Sequence, residues 1–407
     1  MRTHPAASLP PPADGGLMGF LRAVNRFFFE PSDTATLGLI RICAGSLILY
    51  VHLIYSYQLY QLFGKDAWIS DGLVTDIREE YPIPPSDFRW EPEKSTLPPP
   101  SEQEEEQLAR YREKWLGGYA PDADPRLLWS RGQYVWSVWF HVTDPTWVAV
   151  VHVGILVCML LFALGLWTPV TGLVSWLGML SYVNRAPTTF FGMDTIMNVL
   201  VLYLTLAHLF ARPGTAALSL DRLLWRYRRR RETGAEPAGD ALSSSATFAI
   251  RLMQIHFCIV YLASGLSKLE GSAWWNGWAI WQTAANPEFA ALHQPRYHDL
   301  LAWLCRHRVL WEICMSGGAA FTLALEIGFP FLVWNRRLRW LMVIGAVLLH
   351  TGIALVMGLT GFSLMMLALL VSFIPPSTVR HLLGLAERVP ALVPGKALTP
   401  APVGAHQ

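Results

Sequence analysis

Residues Ile259–Trp281 read IVYLASGLSKLEGSAWWNGWAIW. An apolar run ends in one lysine, Lys268, followed by four tryptophans within eight residues, Trp274, Trp275, Trp278 and Trp281. With the preceding ATFAIRLMQIHFC the run reaches the roughly 20 residues that cross a bilayer. Indoles collect at the membrane–water boundary, and a lysine stem can carry its charge out to it. The stretch therefore reads as the end of a membrane helix.

Composition agrees. The chain of 407 residues is 53% hydrophobic and 15% charged, with a mean hydropathy of +0.31. Soluble domains carry about 25% charged residues. The net charge of +2 is too small to imply a nucleic-acid partner. Cys43, Cys158 and Cys258 lie in apolar runs, where a thiol packs as a small hydrophobe; Cys305 and Cys314 have no metal or redox spacing. No metal site is predicted.

The expected fold is an all-α integral membrane protein, a bundle of about eight transmembrane helices with an N-terminal interfacial helix. The spans centre on 35–56, 146–166, 168–185, 193–211, 246–267, 316–334, 338–356 and 358–375. Turn residues separate them, among them WTP, NRAPTTFFG, NRRLR and MGLTG. Residues 1–16 are Pro- and Gly-rich and read as disordered. In LMGFLRAVNRFFFEP the apolar residues recur at helical spacing, as in a helix lying on a membrane surface. The membrane domain then covers 17–376, with outer loops 57–145 and 268–315, an inner loop 212–245, and a cytoplasmic tail 377–407. Within the first outer loop, SEQEEEQLARYREKWL reads as a solvated polar helix.

Arginine counting orients the chain. Arg22 and Arg26 precede the first span; Arg212, Arg222, Arg226 and Arg228–Arg231 follow the fourth; Arg336, Arg337 and Arg339 follow the sixth; Arg380, Arg388 and Lys396 follow the eighth. With eight spans all fall on one side, the cytoplasmic side of an inner membrane, and both termini lie there. RYRRRR has the composition of a nucleic-acid patch, but topology explains it more simply, and no nucleic-acid partner is expected. Membrane lipid is.

Ionisable groups inside spans are costly, so they are candidates for function. Arg41 lies within snorkelling reach of the inner surface. His52, His152 and His208 read as structural. Asp194 opens the fourth span, where a carboxylate complements the helix dipole. Glu326 and His350 lie deeper; they are expected to face the interior, where they could touch each other. At 100° per residue, Gln254, Tyr261, Gly265 and Lys268 share one side of the fifth span, with Ser264 at its edge and His256 pointing away. That side reads either as a helix–helix seam with a snorkelling lysine or as a pocket wall with a titratable amine. On the second reading Lys268 lines a cavity open to the outer leaflet, with Trp274–Trp281 as lid or rim. Flat rings beside an amine suit a flat apolar ligand such as a quinone.

IVYLASGLSKLEG followed by WWNG resembles a segment of the vitamin K-dependent gamma-glutamyl carboxylases and of proteins with a horizontally transferred transmembrane (HTTM) domain. LGLIRICAG around Arg41, ALSLDRLL around Asp221, LLHTGIALVMGLTGFS around His350 and the carboxylate Glu326 are similar in the same order. The likeness runs over roughly 17–375. It implies Lys268 as the base that deprotonates a reduced vitamin K or menaquinone-type quinol, with His350 and Glu326 in support. It implies quinone contacts from Tyr261, Ser264, Gly265, Trp274, Trp275 and Trp278. Oxygen would then turn the quinol into a stronger base for proton abstraction or carboxylation, a quinol-dependent lyase or oxygenase chemistry. NRAPTTFFGMD lacks the histidine that the carboxylases carry there, with Pro187 near its place, so peptide glutamate is not the expected substrate. The alternative is a non-catalytic membrane scaffold or binding subunit for a redox or transport protein partner. A secondary transporter fits less well, because the chain shows no inverted repeat.

Overall fold

The computed structural model describes residues 16–65, 67, 68, 70, 101–111, 136–186, 191–234, 242–289 and 293–385. Expectations for 1–15, for most of the loop 57–145, for Pro187 and for the tail beyond 385 lie outside the described residues. The described residues form helices joined by turns, with one isolated bridge pairing Ser32 and Ser243 among them. The helices, in order, are α1 Leu17–Phe29, α2 Ala35–Tyr55, α3 Leu59–Phe63, α4 Glu102–Tyr111, α5 Pro145–Leu164, α6 Thr168–Arg185, α7 Gly192–Leu209 and α8 Leu220–Thr233. There follow α9 Ser244–Leu269, α10 Ser272–Trp275, α11 Ala279–Ala284, α12 Pro295–Arg306, α13 Arg308–Leu332, α14 Arg339–Met357, α15 Thr360–Leu370 and α16 Pro376–Leu382.

Among the described residues six helical stretches are long and apolar enough to cross a membrane: Ala35–Phe63, α5, α7, α9, α13 and α14. A seventh is broken: Thr360–Phe373 and α16 meet at 116°. Pro375 and Pro376 explain the break, since proline has no N–H to continue a helical ladder. The expected third span forms as α6 but is less apolar, with Ser175, Ser181 and Arg185 along it. Those three are buried, while Val170, Leu173 and Leu177 are exposed. A helix of a soluble protein shows the reverse pattern. The expected sixth span begins at Arg308 rather than at 316, and the outer loop before it holds α10, α11 and α12.

The chain divides into two compact units. One comprises 45–161 and 170–202, the other 1–44, 162–169 and 203–407. In the first, Tyr182 packs against His52, Phe63 and Trp139 with ring centroids 5.0, 4.9 and 5.2 Å away. Its hydroxyl is 2.6 Å from His152 Nδ1, and His152 Nε2 is 2.9 Å from Ser56 Oγ. His52 Nδ1 is bonded to the Ile48 carbonyl, 2.9 Å away. These histidines are satisfied core residues, as their positions suggested. Asp194 accepts from the Phe191 N–H at 2.9 Å and so caps the start of α7.

In the second unit the start of α2 is laced to the segment before α8. Thr34 Oγ1 donates to Thr215 O at 2.6 Å and accepts from Ala217 N at 2.9 Å. Gly38 permits this approach, since a Cβ there would lie 2.5 Å from Ala217 O. Arg41 does not snorkel. It is fully buried, and its Nη2 donates to Leu218 O at 2.5 Å. Asp221 takes the N–H groups of Trp167 and Thr168, at 2.8 and 3.1 Å, and the Thr168 hydroxyl at 2.9 Å, capping α6. Arg380 is not a free surface charge either: it forms a bidentate pair with Asp33, at 2.5 and 3.1 Å, that ties the head of α2 to α16.

Candidate functional site

The second unit brings α9 and α13 into close contact, and Gly265 is the reason. A Cβ at Gly265 would lie 2.8 Å from Ile327 Cγ1 and 3.2 Å from Glu326 Cβ. Only hydrogen allows the backbones so near. One turn further along α9, this proximity lets Lys268 reach across to Glu326.

Lys268 Nζ is 2.8 Å from Glu326 Oε2 and 3.1 Å from Oε1. It also donates to Ser264 Oγ at 2.6 Å, and Ser264 Oγ donates to Glu326 Oε1 at 3.2 Å. Ser264 and Lys268 are four residues apart on one helix and so share a face. The lysine side chain keeps 22% of its surface exposed and the glutamate 8%. The pair therefore spans the step from protein interior to open surface. Its placement in the last turn of α9 also suits the helix dipole. The Trp274 ring faces the amine, with its centroid 5.4 Å from Nζ.

A second pair lies further into the unit, about two turns back along the same face of α9. The Tyr261 hydroxyl is 3.0 Å from His350 Nε2, and both residues are 2% exposed. His350 Nδ1 is buried without a hydrogen-bond partner among the described residues. Tyr261 stacks on Phe257, 4.4 Å away, which fixes its ring. Glu326 and His350 both face the interior, as their cost in lipid requires. They do not bond to each other; each takes its partner from α9.

The structure thus gathers Lys268, Ser264, Glu326 and Trp274 at one point, with Tyr261 and His350 as a neighbouring pair. It does not bring Trp275 or Trp278 to the amine. Trp275 Nε1 donates to the Leu269 carbonyl at 2.7 Å, satisfying an open acceptor at the end of α9, and its ring is 70% exposed. Trp278 packs edge-on to Trp311 at 6.2 Å. Gly265 faces α13 rather than an open wall. Gln254, grouped with this face, is buried and donates to Ser372 O at 2.7 Å, while His256 turns away toward Tyr203.

Two features of the second unit have no local signal in the sequence. The Asp33–Arg380 pair joins residues 347 apart and leaves no local signal. The bond from Arg41 to Leu218 is also long-range, although both lie in stretches singled out for their resemblance. Leu218 and Trp167 are the positive-φ non-glycine residues among those described, at 54° and 48°, and each adjoins a group bonded to Arg41 or Asp221. No protein family, curated protein or solved structure matches this chain.

Proposed function

We propose that this multi-span membrane protein is an HTTM-type, carboxylase-like enzyme acting on a membrane quinol, with Lys268 as its base. The observation that carries the reading is the Lys268 amine, 2.6 Å from Ser264 Oγ and 2.8 Å from Glu326 Oε2 at the end of a span. A lysine in water keeps its proton at neutral pH, and only the neutral amine is a base. Glu326 supplies a place for that proton. Its transfer from Nζ leaves an amine and a carboxylic acid with no change in net charge. The amine then takes the proton of a bound hydroxyl, and Ser264 holds Nζ in line through its hydrogen bond.

A reduced vitamin K or menaquinone-type quinol would supply that hydroxyl and, with oxygen, a stronger base for proton abstraction or carboxylation of a further substrate. The donor set suits it: Lys268 and Ser264 for an oxygen, and the Trp274 ring for a flat apolar face. Tyr261 and His350 support the wall behind the ion pair. The orientation that goes with this reading is an inner-membrane protein with both termini cytoplasmic, from the placement of its arginines.

A specific observation also favours a second reading. The Gly265 contact and the ion pair beside it form an interhelical clamp, which a non-catalytic scaffold or binding subunit would also need. Organic extraction of the purified protein separates the two. The enzyme reading expects a menaquinone-type quinone in the extract, reduced in Trp274→Ala. A quinone-free extract from a preparation that carries a stoichiometric protein partner would favour the scaffold.

A further inference from the structure

The N-terminal helix α1 has no buried residue. Its attachment is concentrated at one end. Phe29 stacks on Phe248 of α9 at 5.3 Å, Phe28 lies 6.2 Å from the same ring, and Phe27 lies 5.7 Å from Trp334. Toward its start, Leu17, Met18, Phe20 and Leu21 are all exposed. An amphipathic helix held at one end with bare apolar side chains at the other suits the interface of a bilayer.

A cavity of about 460 Å³ opens between α1 and the first turns of α9, bounded by Arg26, Phe27, Glu30, Thr247 and Arg251. Its charge is positive. Arg251 donates through Nε to Phe27 O at 3.1 Å and through Nη1 to Gln254 Oε1 at 2.8 Å, and neither bond uses Nη2. Arg339 and Glu30 both act on Arg251 electrostatically. Arg336 and Arg337 adjoin Arg339 in the turn that carries Trp334 toward Phe27. Among the described residues Glu30 is the one carboxylate bounding the cavity. The volume suits a small polar headgroup.

We infer that this cavity binds the phosphate headgroup of one anionic phospholipid, with Arg26 and Arg251 as its ligands and the acyl chains running along the exposed apolar side of α1. A basic pocket at the end of membrane helices recognises such headgroups by charge and hydrogen bonding. The bare apolar helix beside it favours a lipid over a free phosphate. The site is separate from the Lys268 pair and does not depend on the activity proposed for it.

The test is native mass spectrometry of the full chain in detergent with equimolar phosphatidylglycerol and phosphatidylcholine. The expected result is one retained phosphatidylglycerol with about fivefold preference, from roughly one charge contact's worth of attraction. Arg26→Gln should abolish the preference, because Arg26 lines the cavity. Arg228→Gln, an equal loss of charge on the exposed part of α8, should preserve it. Millimolar glycerol phosphate should not displace the lipid. Equal retention of both lipids, an unchanged preference in Arg26→Gln, an equal loss in Arg228→Gln, or displacement by glycerol phosphate would each overturn the inference.

Discussion

Lys268 and Glu326 lie 58 residues apart on two helices, with Nζ 2.8 Å from Oε2. The pair is half in protein and half at the surface, which limits both its cost and its strength. A fully buried pair loses several kcal/mol when one partner is removed, because the other charge is left without water or counter-ion. Here the ammonium still reaches solvent, whereas the carboxylate does not.

That asymmetry gives the first prediction. Lys268→Met should destabilise the protein by about 3 kcal/mol, near the low end for a broken buried pair. Glu326→Gln should cost less, since the lysine left behind can turn to water. The double variant Lys268→Met/Glu326→Leu should recover most of the loss. Thermal unfolding in detergent measures all three, and additive losses in the double variant would argue against coupling.

At Gly265 the expected change is steric. A valine would force its branch into Ile327 and the Cβ of Glu326, where even a Cβ lies 2.8 Å from Ile327 Cγ1. Overpacking of this kind costs about 1–3 kcal/mol. Gly265→Ala should cost less only because it adds one carbon instead of three; that carbon still meets the stiff, β-branched Ile327 and its backbone N at 3.2 Å. The unfolding temperatures of the two variants should rank accordingly.

The inner pair makes a different claim. Tyr261→Phe removes the hydrogen-bond partner of the His350 ring, since among the described residues Nδ1 has none. Leaving a buried polar group bare costs about 1–3 kcal/mol. Tyr261→Phe/His350→Leu should therefore be less destabilised than the sum of the two single variants. Equal additivity would show that the bond contributes nothing.

How much of this was legible in the sequence depends on range. Tyr261, Ser264, Gly265 and Lys268 share a face because of the 100° helical step alone, and the structure uses that face as one surface. The partner Glu326 was identified as a costly buried carboxylate, but its pairing with Lys268 is tertiary. The tryptophans show the limit of local pattern: helical spacing puts Trp274, Trp278 and Trp281 on one side, but the chain breaks at Asn276 and Gly277. Gly277 takes a φ of 75° and passes 2.6 Å from Ser316 Oγ when given a Cβ, so this turn, not one helix, sets where the indoles point. The early start of α13 was hidden because Arg308 and Glu312 make its first turns polar. The break before α16 was written in Pro375 and Pro376, but composition alone let the span run on to 375.

Topology supplies a fourth prediction. Reporter fusions after residue 385 and within 95–110 should report cytoplasmic and external locations respectively, if α6 and the bent final pair both cross. An external C-terminal reporter would mean that one of these two does not cross.

The proposed role of Lys268 is that of a base. Its most direct measurement is oxygen-dependent consumption of menaquinol by the purified protein in lipid discs, compared between the native chain and Lys268→Arg. Arginine keeps the charge and can pair with Glu326 bidentately, but it holds its proton at neutral pH. If Lys268 is a base, the Lys268→Arg variant should be folded, with unchanged thermal unfolding, and should consume menaquinol at least about a hundredfold more slowly, the usual share of a general base. Equal rates in the two proteins would contradict it and leave Lys268 as a structural clamp to Glu326.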